Sequence, residues 1–199
     1  LGHVALGPAI ARYAVTYPDV RVRLHLTDRV VNLVEEGFDL ALRAGSLAPS
    51  TLRARRLGTA GPMVCASPDY LRRCGTPSTL DELSEHDCLI NDGVAWGSRW
   101  PVAPGRTLRV RARMTSNSWD VLREAALAGV GVGYLPDSHV AKDVASGRLV
   151  HLLADAASNP GGLWLVYPPS RYLLPKVRTF VDFLSQAFAE GGLAAQELT

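Results

Sequence analysis

The chain has 199 residues, with 21 lysines and arginines against 19 aspartates and glutamates, for a formal charge of +2. Hydrophobic residues make up 47% and charged residues 20%, a globular balance that excludes disordered and fibrous classes. At this length one domain or two interleaved small ones are expected, burying about 70% of the unfolded surface, and so small a net charge gives no strong pull toward nucleic acid.

From residue 6 to 17 the apolar positions recur at helical spacing, with Pro8 in the first turns and Pro18 blocking continuation. Residues 20–27 alternate strictly, with Arg21, Arg23, His25 and Thr27 on one face, which predicts a half-exposed strand. Asp28 is placed to N-cap a short helix carrying Val30, Leu33 and Val34 and stopped by Gly37, and residues 38–43 read as the next strand. Strand, helix and strand at this spacing approach the minimal crossover unit, which predicts parallel pairing. Strands at 53–57 and 62–66 follow, then a short helix opened by Ser67-Pro68 and ended by Gly75, and a capping box at Thr79-Leu80-Asp81-Glu82.

Residues 88–91 and 106–114 read as strands, the second with Arg109, Arg111 and Arg113 on one face. Ser116-Asn117-Ser118 offers N-caps for a helix over 119–128, closed by Gly129. A strand at 131–135, a helix at 137–145 and strands at 148–153 and 163–167 come next. The last helix starts at Pro175 and carries Val177, Phe180, Val181, Leu184 and Phe188 in one stripe; the tail after Glu190 is expected to fray. Alternating strands and helices predict an α/β protein with largely parallel sheets.

The chemistry-bearing patterns point to binding rather than catalysis. There is no GxSxG elbow and no serine or cysteine in a nucleophile context, so no catalytic residue is assigned. Cys74, His86 and Cys88 lack the paired spacing of a zinc site, so neither a metal nor a cofactor is expected. The Gly129-Val130-Gly131-Val132-Gly133 run follows a helix and precedes a strand, the reverse of a dinucleotide fingerprint, and reads as a C-cap with close packing. The arginines at 109, 111 and 113 read as a solvated strand face, and Trp96 and Trp100 as packing residues. Three cysteines without a CxxC, and no run of 18 apolar residues, suit a reducing cytosol and no membrane. The methionines are Met63 and Met114 alone, so the chain is expected to be part of a longer protein.

One pattern suggests a site. Thr27-Asp28 and Arg43-Ala44-Gly45 end strands, and Ser116-Asn117-Ser118 joins a strand to a helix. Ligands of parallel α/β sheets sit at the carboxyl ends of strands, where helix N-termini present free N–H groups to anions. Ordinary N-capping explains the same residues equally well.

The chain resembles the effector-binding domain of LysR-type transcriptional regulators. The resemblance rests on Leu6-Gly7-Pro8 through Tyr17-Pro18-Asp19-Val20, on Leu26-Thr27-Asp28 through Glu36-Gly37-Phe38-Asp39-Leu40-Ala41-Leu42-Arg43, and on Val64-Cys65-Ala66-Ser67-Pro68-Asp69-Tyr70-Leu71. It continues through Leu122-Arg123-Glu124-Ala125-Ala126-Leu127-Ala128-Gly129-Val130-Gly131 and Val166-Tyr167-Pro168 with Pro175-Lys176-Val177-Arg178. It implies two Rossmann-like α/β subdomains joined by two crossover strands, like type 2 periplasmic binding proteins: 1–66 plus 137–199, and 67–136. It implies a small effector, anionic or amino-acid-like, in the cleft between them, met by Leu1, Gly2, His3, Thr27 and Arg43 on one side. On the other side it implies Asn91, Asp92, Ser116, Asn117 and Ser118. It also implies a cytoplasmic homodimer, with tetramers a further option for the full-length protein. It further implies that the family's first strand and its N-terminal winged helix-turn-helix domain, through which promoter DNA would be bound, fall outside these residues. A transporter's solute-binding protein, on nearly the same fold, is the alternative.

Overall fold

The computed structural model describes residues 6–27, 30–157 and 161–189. In chain order its elements are α1 (Gly7–Thr16), β1 (Ala41–Gly45), β2 (Arg53–Ala60), β3 (Pro62–Ala66), α2 (Pro68–Cys74), a 3-10 turn (Asp81–Ser84) and β4 (Asp87–Asn91). They continue with β5 (Arg99–Ala103), β6 (Arg106–Arg109), β7 (Arg111–Ser116), α3 (Trp119–Leu127), β8 (Val132–Pro136), α4 (Asp137–Ala145), β9 (Val150–His151), β10 (Gly161–Tyr167), α5 (Pro169–Tyr172) and α6 (Pro175–Ala189). Two compact units result. Unit 1 combines the chain before Gly61 with the chain from Gly161 on, and unit 2 is the stretch between. The boundaries expected at 66/67 and 136/137 fall inside unit 2, because β3 and β8 are hydrogen-bonded neighbours from Pro62↔Pro136 to Cys65↔Gly133.

Unit 1 is a three-stranded sheet in the order β1-β10-β2, antiparallel throughout. Its core joins Leu165 and Tyr167 of β10 to Ala9 of α1 and to Val177, Val181 and Leu184 of α6, the stripe the helical periodicity marks out. Tyr13 is fully buried, edge-on to Phe180 at 4.8 Å, and its hydroxyl donates to the Lys176 carbonyl at 3.2 Å.

The first part of unit 1 departs from the sequence expectations. Residues 20–27 form no strand, and Val22, Leu24 and Leu26 are exposed. Alternation marks two faces, but a strand forms only where a neighbour completes the ladder, and β1 pairs instead with β10. The expected helix after Asp28 is a single turn at residues 33–37; Asp28 itself lies outside the described residues. Asn32 caps that turn, its Oδ1 accepting the Val34 N–H at 3.2 Å while its own N–H donates to Glu36 Oε1 at 2.9 Å. The predicted parallel crossover is therefore replaced by antiparallel pairing of β1 with β10.

Unit 2 carries a five-stranded sheet, β7-β4-β8-β3-β9. Parallel pairing is confined to β4 with β7 and β8; β3 runs antiparallel to β8 and β9. Period-2 alternation sends Cys88 and Ile90 of β4, Val132 and Tyr134 of β8 and Val64 and Ala66 of β3 to one face. Leu89, Leu135 and Cys65 go to the other, against Leu122, Ala125 and Ala126 of α3 and Val140 of α4. The single strand expected at 106–114 breaks at Val110, which is buried and donates its N–H to the Ser98 carbonyl at 3.0 Å. On one side of that break β6 pairs with β5; on the other β7 pairs with β4. The β5–β6 hairpin places Trp100 and Val102 in the first-face core, with Trp100 stacked on Tyr134 at 5.3 Å.

Both glycines after α3 are required. Gly129 takes φ +75°, and the N–H groups of Gly129 and Val130 donate to the carbonyls of Ala126 and Ala125 at 3.1 and 3.0 Å, a Schellman ending. At Gly131 a Cβ would stand 2.4 Å from the Asp87 carbonyl oxygen, so only glycine lets β8 approach β4.

Candidate functional site

The parallel strands β4 and β7 end side by side, with Asn91 in register opposite Ser116. From Ser116 the chain turns directly into α3. Ser118 caps the helix, its Oγ accepting the Val121 N–H at 3.5 Å, and Ser116 Oγ accepts the Ser118 N–H at 3.1 Å in the turn that leads into it. Asn91 follows Leu89 by two residues and so lies on the helical face of the sheet. It is 1% exposed; its Oδ1 accepts the Gly93 N–H at 2.8 Å, while its Nδ2 is buried with no hydrogen-bond partner. A Cβ on Gly93 would lie 3.1 Å from Asn91 Oδ1 and 3.3 Å from Asn117 Cβ. The turn after β4 thus brings Gly93 close to both the Asn91 side chain and Asn117, the residue preceding the α3 cap.

This arrangement favours an anion. A buried amide N–H without a partner costs about 1–3 kcal/mol, which an acceptor placed there recovers. The first turn of a helix adds free N–H groups and a positive dipole end. α3 is itself held in place by ionic packing: Arg123 donates to the buried carboxylate of Asp143 on α4 through Nε at 2.5 Å and Nη2 at 2.8 Å. Among the described residues, the other buried side-chain donor without a partner is Trp100 Nε1.

Four of the ten expected contact residues converge here: Asn91, Ser116, Asn117 and Ser118. Asp92 follows Asn91 and is exposed. Thr27 and Arg43 belong to unit 1; Thr27 is exposed, and Arg43 is half-buried with Nη2 donating to the Val31 carbonyl at 2.9 Å. Leu1, Gly2 and His3 lie outside the described residues. Sequence reasoning did not place Trp119 at the site, although its position directly after the cap is a readable signal. Trp96, read as a packing residue, does contact the first-face core, and it also reaches the strand ends, with its ring centroid 6.1 Å from that of Trp119. Two open surface depressions of about 290 and 270 Å3 lie in unit 1 and include none of these residues.

The family model of the LysR substrate binding domain matches residues 1–189. The chain belongs to this family. Among LysR-type relatives, the HTH-type transcriptional regulator CrgA of Neisseria meningitidis serogroup B is 36% identical over 182 residues, covering 90% of this chain and 61% of the relative. The HTH-type transcriptional regulator DmlR of Escherichia coli K12 is 33% identical, covering 95% and 62%. The chain thus spans about three fifths of the length of these LysR-type relatives. The solved CrgA regulatory domain from Neisseria meningitidis superposes with a TM-score of 0.79 at 35% identity, covering 92% of this chain and 91% of that one. The regulatory domain of AphB from Vibrio vulnificus gives 0.79 at 26% identity, with 94% of each chain covered. The LysR regulatory-domain fold, two α/β subdomains of the periplasmic-binding-protein kind, is therefore the fold of this chain. Among the described residues no helix is long and apolar enough to cross a membrane.

Proposed function

We propose that this chain is the ligand-sensing and dimerisation domain of a cytoplasmic LysR-type DNA-binding transcriptional regulator, and that it recognises a small anionic or amino-acid-like effector without catalysis. The observation that carries the effector reading is the buried, unpartnered Nδ2 of Asn91 beside the N-terminus of α3. Asn91, Ser116, Asn117 and Ser118 are assigned to the effector's acidic group, and Asp92 to an amine where the effector has one. Thr27, Arg43 and the Leu1-Gly2-His3 segment are assigned to effector recognition on the family resemblance alone. Effector binding acts as a population shift: one conformation of the domain is preferred, and the full-length dimer holds its DNA-binding heads accordingly. Promoter DNA is contacted through a helix-turn-helix part beyond these residues, in keeping with the names of the relatives. Exposed Val15, Val22, Leu24 and Leu26 of unit 1 support a self-association surface. The transporter alternative finds no support among these relatives, which are named as regulators.

A thermal-shift screen of small carboxylates and amino acids on the 199-residue chain tests the effector reading. An effector at about 100-fold its Kd stabilises the fold by about 2.7 kcal/mol, and Asn91→Ala and Ser116→Ala are expected to abolish that gain. Hits indifferent to both substitutions would refute the assignment. Analytical ultracentrifugation is expected to show dimers that Leu24→Glu weakens, and monomers at every concentration would refute dimerisation.

A further inference from the structure

The tryptophans nearest the polar site have a geometry that core packing alone does not require. Trp96 lies five residues beyond Asn91, in the turn that leaves β4; Trp119 lies three residues beyond Ser116, as the first residue of α3. Trp96 packs against the core on one face of the sheet, and Trp119 against the core on the other. Their rings nevertheless approach to 6.1 Å between centroids, tilted by 36°. Two side chains rooted on opposite faces can meet only around the margin of the sheet, and both of these leave the sheet within five residues of the strand ends at which Asn91 and Ser116 stop. Tyr134 of β8 backs the pair, edge-on to Trp96 at 5.4 Å, and is itself fixed by its hydroxyl donating to the Pro101 carbonyl at 2.7 Å. Both indoles are half-buried, so each keeps accessible ring surface.

We infer that Trp96 and Trp119 form an aromatic wall beside the Asn91–α3 donor site, and that together they select an organic acid with a flat apolar body over a small hydrophilic acid. This inference rests on the effector reading above and names the effector class for that site. The carboxylate accepts from Asn91 Nδ2 and from the first turn of α3. The ring centroids are too close for another ring to enter between them, so the effector's body packs across the pair as one surface. The division of labour follows from chemistry: the amide donor and helix terminus recognise the anion whatever it is attached to, and the indoles add affinity only when an apolar face is present to cover them.

Two probe anions separate the parts: benzoate and acetate, which share a carboxylate and differ in the body it carries. In 1H–15N spectra of the 199-residue chain, benzoate is expected to move the Asn91 side-chain amide and the indole N–H signals of Trp96 and Trp119, leaving Trp164 of unit 1 in place. Acetate is expected to move Asn91 while binding about tenfold more weakly, a gap of about 1.4 kcal/mol. Trp96→Leu and Trp119→Leu are each expected to shrink that gap. Equal affinity for the two anions, or benzoate binding indifferent to both substitutions, would overturn the aromatic wall and leave the Asn91 site standing. Spectra in which neither anion moves Asn91 would overturn the effector reading itself and the wall with it. Should either tryptophan variant fail to fold, the benzoate and acetate titrations of the unsubstituted chain still separate these outcomes.

Discussion

Asp143 is completely buried and lies between two guanidinium groups, Arg123 from α3 and Arg148 from the segment leading to β9. The Asp143 carboxylate holds the Arg123 pKa above its ordinary value, so the positive charge persists at any working pH. Removing one partner of a buried pair strands the other and costs about 3–5 kcal/mol. Asp143→Asn is accordingly expected to lower the unfolding free energy by about 3 kcal/mol in urea titrations. Arg148→Ala, whose side chain is 57% exposed, is expected to cost about 1 kcal/mol or less. Equal losses would show that Arg148, not Arg123, is the main counter-charge. The cysteines make a second prediction at this scale. Burial pushes the thiols of Cys65 and Cys88 up from 9.0 to about 12, whereas Cys74 is exposed. A disulfide-exchange reagent at mildly alkaline pH is expected to titrate one thiol in the native chain and all three after unfolding. Because the folded pKa lies above the unfolded one, the linked stability is whole below pH 9.0 and is lost as pH rises toward about 12. A native chain that exposes all three thiols to the reagent would contradict the burial.

At the scale of elements, α3 is the helix whose N-terminus borders the candidate site, and its two ends anchor it. Ser118→Ala removes its cap and is expected to cost about 1 kcal/mol. Gly129→Ala forces a side chain into a left-handed conformation, expected to cost about 1–2 kcal/mol. Gly131→Ala should exceed both, because its Cβ would strike the backbone carbonyl of Asp87 in the neighbouring strand rather than a side chain that can move. Denaturant titrations that rank the three otherwise would refute this account of the helix's anchoring. These ends were legible in the sequence because caps are local chemistry: Ser67, Ser118 and Gly129 announce themselves within a few residues. The course of residues 20–45 was not legible, since alternation and spacing say nothing about which distant strand completes the ladder. That partner, β10, lies on the far side of the whole of unit 2 in the chain. The polar half of the site was likewise visible as serines and asparagines at a strand-to-helix junction. The missing partner of Asn91 Nδ2 and the meeting of Trp96 with Trp119 were not, because both depend on packing from two faces of one sheet.

At the scale of the molecule, the two units differ in how the chain assembles them. Unit 2 is one uninterrupted stretch, whereas unit 1 takes its middle strand from the far side of it: β10 sits between β1 and β2, pairing with both. During synthesis, which delivers the chain from its N-terminus, β1 and β2 emerge with no common neighbour and must wait until all of unit 2 has followed. Unit 2 needs no such wait. A chain ended after Ala157 is expected to retain the buried Trp100–Tyr134 stack and a cooperative unfolding transition, while the residues before Gly61 give no protected amides in hydrogen exchange. Protection of β1 and β2 in that shortened chain would show that they find another partner. The interval between β2 and β10 is thus a window in which two open strand edges are presented to solvent, and a nascent chain of this design is most exposed to chaperone capture and to aggregation before β10 is made.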